Sequence, residues 1–357
     1  MKTDKDLRVL IDDGMQIRVG TGIGKYSSQL YESLKQKIQV CDLNAFPAKK
    51  KTWFTRIKYL LYINSLKFKK KLKKYDVVHF TNYLMPLSIP KETKCVVTIH
   101  DLTAFSHPET LSFLHRLYFR FIIKFSLKHA DLILCISNTI KEEIINRFPK
   151  LVRKQKMDVI YCGLPYNSLP TLPPERDNTF LYVGTIEKRK NISLIISAFN
   201  LFLAKSNSNY KLVLAGKMGL GSDEIIKEAK ASPFSSQIIF TGYISDNKRD
   251  ELYLNSGCLV FASLYEGFGI PQIESIYFGL PIILSDIPTN REITNNNGLY
   301  FKNNDSVSLA KAMTLFSFSK DGQIEKRRKL QPICTSFFYD NLIKNYISSY
   351  LYIIDKS

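Results

Sequence analysis

The chain has 357 residues, 45% hydrophobic and 23% charged, with a formal net charge of +19. That length suits two domains at roughly 150 residues each, and the composition is ordinary globular material. No uncharged apolar run reaches the ~18 residues of a spanning helix. The N-terminus lacks a signal-peptide core, and six scattered cysteines without a C-x-x-C pair argue for a reducing compartment and against a zinc site.

The first element is a buried-type strand, "LRVLID" (7–12), followed by a glycine loop, "GTGIG" (20–24). A helix comes next, with Ile23, Tyr26, Leu30 and Leu34 on one face. Residues 49–74 then carry eleven Lys or Arg and no acid, interleaved with Trp53, Phe54, Tyr59 and Tyr62. Further strands read at 76–80, 94–101 and 131–137. Between the last two, Arg116, Arg120, Lys124 and Lys128 recur every four residues, a cationic stripe along one helix edge.

The proline-rich stretch 164–178 breaks the rhythm and reads as a linker. Strands resume at 180–185, 210–216, 237–242, 258–265 and 281–286. A helix with Leu194, Ile195, Ala198, Phe199, Phe202 and Leu203 inward follows the first of them, and an amphipathic helix closes the chain at 337–355. Strand–helix alternation implies parallel sheets covered on both faces, here two doubly wound α/β domains in tandem. The boundaries read as 1–165, a linker at 166–178, 179–336, and a terminal helix at 337–357.

One stretch holds the chemistry: "SLYEGFGIPQIESIYFGLP" (263–281), with two glutamates around a glycine turn. Reading strand 258–265 to its end puts Glu266 at the carboxyl end of a parallel strand, where open α/β sheets bind ligands. Gly267 and Gly269 let the backbone approach a ligand. Pro271 suits a first helical turn, and Glu274 is read into that same first turn, off the buried face. Carboxylates accept from hydroxyls and repel phosphates, whereas amides at a helix start attract anions. A vicinal diol joined to a phosphate, as in a sugar nucleotide, satisfies both. Spacing alone favours the plainer reading, with Glu274 a helix-start charge and Glu266 a surface loop residue.

The segment 263–293 resembles the E-x7-E region of retaining GT-B glycosyltransferases of family 4. "VGTIEKRKNISLIISAF" (183–199), "VVTIHDLTAFSHPE" (96–109), "ADLILCISNTIKEEI" (130–144) and "GTGIGKYSSQL" (20–30) are similar to other motifs of that family. The resemblance implies two Rossmann-like domains facing across a cleft, the terminal helix returning to the first. It implies that Glu274 holds the donor ribose and that Glu266 contacts the transferred sugar. Gly267, Phe268, Gly269 and Ile270 would offer backbone amides, Arg189 and Lys190 would neutralise the diphosphate, and Gly22 and Gly24 would shape the wall near it. His100 would sit at the transferred sugar.

Chemistry supports the cations independently. A departing nucleoside diphosphate needs positive charge or aligned dipoles, and "EKRKN" (187–191) supplies three cations just after a strand. Three features depart from the family pattern. Thr185 stands where many relatives place arginine, Cys162-Gly163 stands where many carry Asn-Gly, and the one D-x-D-like triplet, at 4–6, precedes the first strand. No obligatory metal or other cofactor is therefore expected.

The expected reaction moves a hexose, mannose first, from a nucleotide sugar to a glycan or lipid-linked acceptor in cell-surface polysaccharide synthesis. The motif forms "HDLTAFSHPE" and "GTIEKRKN" resemble mannosyltransferase-type members, which points to GDP-mannose, with a UDP-sugar as the alternative. A basic, aromatic first domain suits an anionic membrane surface on the cytoplasmic side, with Lys69, Lys70, Lys71, Arg116 and Arg120 at the headgroups. Three other classes compete: an epimerase or hydrolase of the same fold, a nicotinamide dehydrogenase, and a non-catalytic membrane or nucleic-acid binder. "GTGIG" lacks the full dinucleotide spacing, and no nucleic-acid recognition pattern is present, so nucleic acid is not an expected partner.

Overall fold

A computed structural model describes residues 3, 6–14, 22–44, 46, 52–173, 175–206, 208–318 and 329–355. Gly20 and Thr21 of the glycine loop, Lys49 to Lys51 of the basic run, and Asp4 and Lys5 of the D-x-D-like triplet lie outside them. The chain divides into two compact units. One comprises Met1–Asn167 with Phe337–Ser357, the other Ser168–Ser336.

The first unit is built on six parallel strands: β1 (Arg8–Asp12), β2 (Val40–Asn44), β3 (Val77–Phe80), β4 (Lys94–Ile99), β5 (Leu132–Cys135) and β6 (Lys156–Val159). Their order is β2-β1-β3-β4-β5-β6. Central strands such as β3 and β5 are buried at every residue, as a sheet covered on both faces requires. Helices supply the covers: α1 (Gly22–Lys35), α2 (Trp53–Ile63), α3 (Leu66–Leu72), α4 (Thr103–Ser106), α5 (Phe113–His129), α6 (Asn138–Arg147) and α7 (Pro149–Val152).

The second unit repeats the plan with β7 (Thr179–Val183), β8 (Lys211–Ala215), β9 (Ile238–Gly242), β10 (Cys258–Phe261), β11 (Ile282–Ser285) and β12 (Leu299–Phe301). The order is β12-β11-β10-β7-β8-β9, so the direction of winding reverses between β7 and β10. In doubly wound sheets that reversal opens a crevice at the strand carboxyl ends. Its helices are α8 (Ile192–Ser206), α9 (Ser222–Lys230), α10 (Asp246–Asn255), α11 (Ile270–Tyr277), α12 (Pro288–Ile293) and α13 (Ser306–Phe318).

The last helix, α14 (Tyr339–Asp355), packs in the first unit against α1. The ring of Tyr339 lies 2.5 Å from where a Cβ on Gly163 would stand, so only glycine admits it there. Behind it runs a buried polar chain. Tyr346 Oη meets Tyr26 Oη at 2.9 Å, and Tyr26 Oη reaches Thr98 Oγ1 at 3.2 Å. His79, in the middle of β3, bridges Thr98 Oγ1 and Tyr350 Oη, each at 2.7 Å. Burial pushes the His79 imidazole down to about 3, so it is neutral at pH 7. Tyr350→Phe strands one buried ring nitrogen. It is expected to cost about 1–3 kcal/mol of stability, read as a lower urea midpoint at unchanged slope.

Three strands escape the sequence reading: β2, β6 and β12. All three are edge strands: Asp42 and Asp158 interrupt the apolar runs of β2 and β6, and β12 is only three residues long, too short to mark a strand by pattern. The strand read as 258–265 ends at Phe261. Glu266 therefore sits on the loop after β10, five residues beyond the strand end.

Candidate active site

In the second unit, the loops after β7 and β10 meet at the reversal point. The first carries a single 3-10 turn, Lys188–Lys190, closed by Asn191 in the left-handed conformation (φ 57°). Asparagine tolerates that conformation better than most residues, and the turn it makes starts α8. The two loops are joined directly. Leu264 N–H donates to Arg189 O at 3.3 Å, and Arg189 Nη1 donates to Tyr265 O at 3.2 Å.

The charges sit between these loops. Lys190 Nζ forms a short ion pair with Glu266 Oε1, and Arg189 Nη1 lies 3.6 Å from the same oxygen. Arg189 Nη2 also pairs with Glu187 Oε1 at 3.0 Å. Lys188 turns away to an exposed pair with Glu224. Burial alone would raise the Glu266 carboxyl, but Lys190 and Arg189 outweigh it and hold the group below the usual carboxylate range. Burial pulls the Lys190 ammonium below its ordinary value, against the attraction of Glu266. Glu266 is thus an ionised, cation-gripped group. The backbone fixes it too, since Thr289 Oγ1 donates to Glu266 O at 2.7 Å.

The glycine turn that follows is tightly determined. Gly269 has φ 88°, and a Cβ there would lie 2.2 Å from Gln272 Nε2. Gln272 is itself buried and donates to Asn290 Oδ1 at 2.6 Å. The Phe268 ring is buried at 2% exposure, so this residue faces a ligand only through its backbone. Ile270 opens α11 with Pro271 beside it, and first-turn amides carry the positive end of the helix dipole. Gly267, between Glu266 and Phe268 in the chain, is buried.

Glu274 occupies the second turn of α11, not the first, and is buried at 8% exposure. Tyr253 Oη donates to its Oε2 at 2.9 Å, and Arg249 Nη1 lies 3.2 Å from its Oε1. Both partners come from α10. Sequence reasoning missed them, because "DNKRDELYLN" reads as a solvated, mixed-charge helix. The overlooked signal is the i, i+4 spacing of Arg249 and Tyr253, which puts both on one face.

In the first unit, His100 directly follows β4, and its Nε2 lies 2.7 Å from Thr81 O, just beyond β3. A carbonyl only accepts, so Nε2 carries the proton. Burial lowers the His100 pKa from its ordinary value, partly opposed by that bond and by Asp101. The ring is therefore neutral at pH 7, with Nδ1 as its acceptor. Gly22 and Gly24 lie in the first turn of α1 and not in a loop before it. Across the same sheet, Asp12 at the end of β1 is held by Tyr59 of α2, Asn44 and the Gly14 N–H. Burial pushes the Asp12 carboxyl up to about 6.

The basic helices do not present every residue that the spacing suggested. Tyr59 is buried, Lys71 donates to Asn44 Oδ1 at 3.0 Å, and Arg120 donates to Ala104 O at 2.8 Å while covering the Phe105 ring. Arg116 lies over Phe113, and Lys69 reaches Ser88. Beside the exposed Lys67, Lys69, Lys124 and Lys128, apolar side chains also face outward: Trp53, Phe54, Leu61 and Leu66 around α2 and α3, and Phe113, Leu114, Leu117 and Phe121 on α5. Lys70 is exposed beside the first set.

Two family profiles match. The one described as "Glycosyltransferase Family 4" covers residues 20–167, and "Glycosyl transferases group 1" covers residues 169–332. The chain belongs to the group 1 glycosyl transferases. It has their GT-B fold, and it is an enzyme of this class. Among curated relatives, it is 30% identical over 233 residues to the O-antigen chain mannosyltransferase RfbU of Salmonella typhimurium strain LT2. That stretch is 63% of this chain and 62% of the relative. It is 28% identical over 285 residues to O-antigen chain mannosyltransferase B of Escherichia coli, covering 77% of this chain and 74% of that one. The serotype-specific mannosyltransferase WbdA of E. coli is matched over only 29% of its own length. Among solved structures, the sucrose-phosphate synthase of Thermosynechococcus elongatus superposes with a TM-score of 0.76 at 17% identity, covering 98% of this chain and 100% of that one. Anabaena HepE does so at 0.74 and 15%, covering 96% and 100%. Such low identities speak to the fold alone.

Proposed function

We propose that this glycosyl transferase moves a mannosyl unit from GDP-mannose to a glycan or lipid-linked acceptor in the assembly of a cell-surface polysaccharide such as O-antigen. The observation that carries the reading is local. Two carboxylates flank a glycine turn at the reversal point of a doubly wound sheet, with Arg189 and Lys190 gathered on the first. Glu274 takes the ribose hydroxyls, and Glu266 meets the sugar. Gly267, Gly269 and Ile270 line the way between with backbone. The relatives' names support mannose and O-antigen chains.

Arg189 and Lys190 are ion-paired with carboxylates in the free protein, so a bound diphosphate shares them with Glu266. As the glycosidic bond breaks, charge builds on the departing diphosphate, and the two cations and the α11 terminus offset it. This lets the proposed reaction run without an obligatory metal. His100, neutral and presenting Nδ1, accepts from a sugar hydroxyl and does not donate a proton. Titration of the protein with GDP-mannose and with UDP-sugars, with and without a chelator, tests the donor. GDP-mannose is expected to bind tighter than any UDP-sugar and independently of the chelator. Preference for a UDP-sugar would transfer the proposal to that donor, and no binding of either would end it.

The proposed working surface is anionic lipid on the cytoplasmic side. No helix among the described residues is long and apolar enough to cross a membrane. Attachment then falls to the outward apolar residues of α2, α3 and α5, with lysines for the headgroups. Exposed Phe and Leu suit a lipid interface and not nucleic acid. Reversing the exposed Lys67, Lys69 and Lys70 to Glu is expected to release the protein from anionic vesicles, since each lysine near such a surface contributes about 1 kcal/mol. Co-sedimentation at wild-type level at low salt, with folding confirmed, would contradict this.

A further inference from the structure

Glu274 is held from the side with unusual completeness. Arg249 Nη1 approaches its Oε1 at 3.2 Å, and Tyr253 Oη donates to its Oε2 at 2.9 Å, so each oxygen has one contact from α10. Arg249 cannot swing away readily. Its Nε and Nη2 both donate to Asp250 Oδ1, at 3.0 and 2.7 Å, and Nη1 also meets Asp246 Oδ1 at 2.8 Å. The Arg249 side chain is 11% exposed, and Tyr253 is fully buried.

The two helices are also tied through their backbones at their carboxyl ends. Arg176 Nη1 donates to Tyr253 O and Leu254 O at 2.6 Å, while its Nη2 donates to Phe278 O, just past α11, at 2.5 Å. One guanidinium thus ties the carboxyl end of α10 to that of α11. The separation between the α10 pair and Glu274 is fixed by the chain itself.

We infer that Arg249 and Tyr253 are positioning residues that orient the Glu274 carboxylate toward the two ribose hydroxyls of the nucleotide. A carboxylate has about four acceptor directions. A side-on contact to each oxygen fixes the plane of the group, and a planar pair of acceptors is what a vicinal diol requires. The inference rests on the proposed role of Glu274 as the diol-binding group. It adds that ribose recognition is set by α10, outside the E-x7-E segment.

The test uses GDP and 2′,3′-dideoxy-GDP, or the uridine pair if the donor titration selects it, on the full chain. Wild type is expected to bind the ribonucleotide more tightly than the dideoxy form. Arg249→Leu should weaken GDP roughly tenfold, the loss of one charged contact, and leave dideoxy-GDP unchanged. KM for the sugar nucleotide should rise by a similar factor with kcat within about twofold. Arg249→Lys should recover part of the loss. Tyr253→Phe keeps the ring that packs the core and removes only the donor, so it covers the case in which Arg249→Leu fails to fold. It too should erode the preference for the ribonucleotide. If the variants weaken GDP and dideoxy-GDP equally, or leave the preference intact, the positioning role is overturned while that of Glu274 stands. If wild type itself shows no preference, the diol role of Glu274 falls and the positioning role falls with it.

Discussion

Replacing Arg189 and Lys190 together by alanine is expected to slow sugar transfer by about 10²–10³-fold, the size of effect seen when a group facing developing charge is removed. Binding of the uncleaved donor should fall less. The diphosphate gains charge as the bond to the sugar breaks, and only interactions stronger in the transition state raise the rate. The double variant also strips Glu266 of the partners that keep it ionised. Burial then governs its pKa, which rises, so any remaining activity should be lost at a higher pH on the acid side than in wild type. An uncompensated buried charge destabilises as well, by about 3–5 kcal/mol. Arg189→Ala alone retains the Lys190–Glu266 pair and separates the effects: it should fold normally and still slow transfer. Equal losses in donor affinity and in affinity-corrected turnover would remove the leaving-group role.

Glu274→Ala is expected to weaken the nucleoside diphosphate ten- to hundredfold. The loss of a charged hydrogen-bonded contact costs about 1.5–3 kcal/mol, and ~1.4 kcal/mol is a decade in affinity. Calorimetric titration with GDP measures it free of the acceptor. Arg249 keeps its contacts with Asp246 and Asp250 in the variant, so the guanidinium is not left bare. Unchanged affinity would leave Glu274 as a structural tie between α10 and α11 and nothing more.

Much of this was legible before the structure, and the reasons differ by residue. Two α/β sheets show in the alternation of apolar runs and helical periods, because central parallel strands are buried on both faces. Edge strands β2 and β6 stay hidden because an aspartate breaks each apolar run, and β12 because it is only three residues long. Gly269 is readable, since a glycine before Pro271 at the head of a periodic run marks a helix start. Glu274 is readable as a site candidate only together with the family motif, since its spacing alone also suits a helix-start charge. Its partners Arg249 and Tyr253 lie some twenty residues upstream, on a helix that looks solvated. The basic run misleads for a related reason. Periodicity gives a stripe but does not say which neighbour covers it, so Tyr59, Lys71 and Arg120 turn inward while Trp53, Leu66 and Phe121 face out. The grip of Lys190 on Glu266 is a long-range contact between two loops that no local pattern announces.

The most direct measurement is phosphorus NMR of GDP-mannose incubated with wild-type protein and, in parallel, with Glu274→Ala, at a donor concentration well below the variant's dissociation constant. Wild type is expected to convert GDP-mannose steadily to GDP, by transfer or slow hydrolysis, and the variant to do so at least tenfold more slowly. A wild-type protein that consumes no sugar nucleotide, or a variant that matches it, would contradict the assignment of this loop as the donor site.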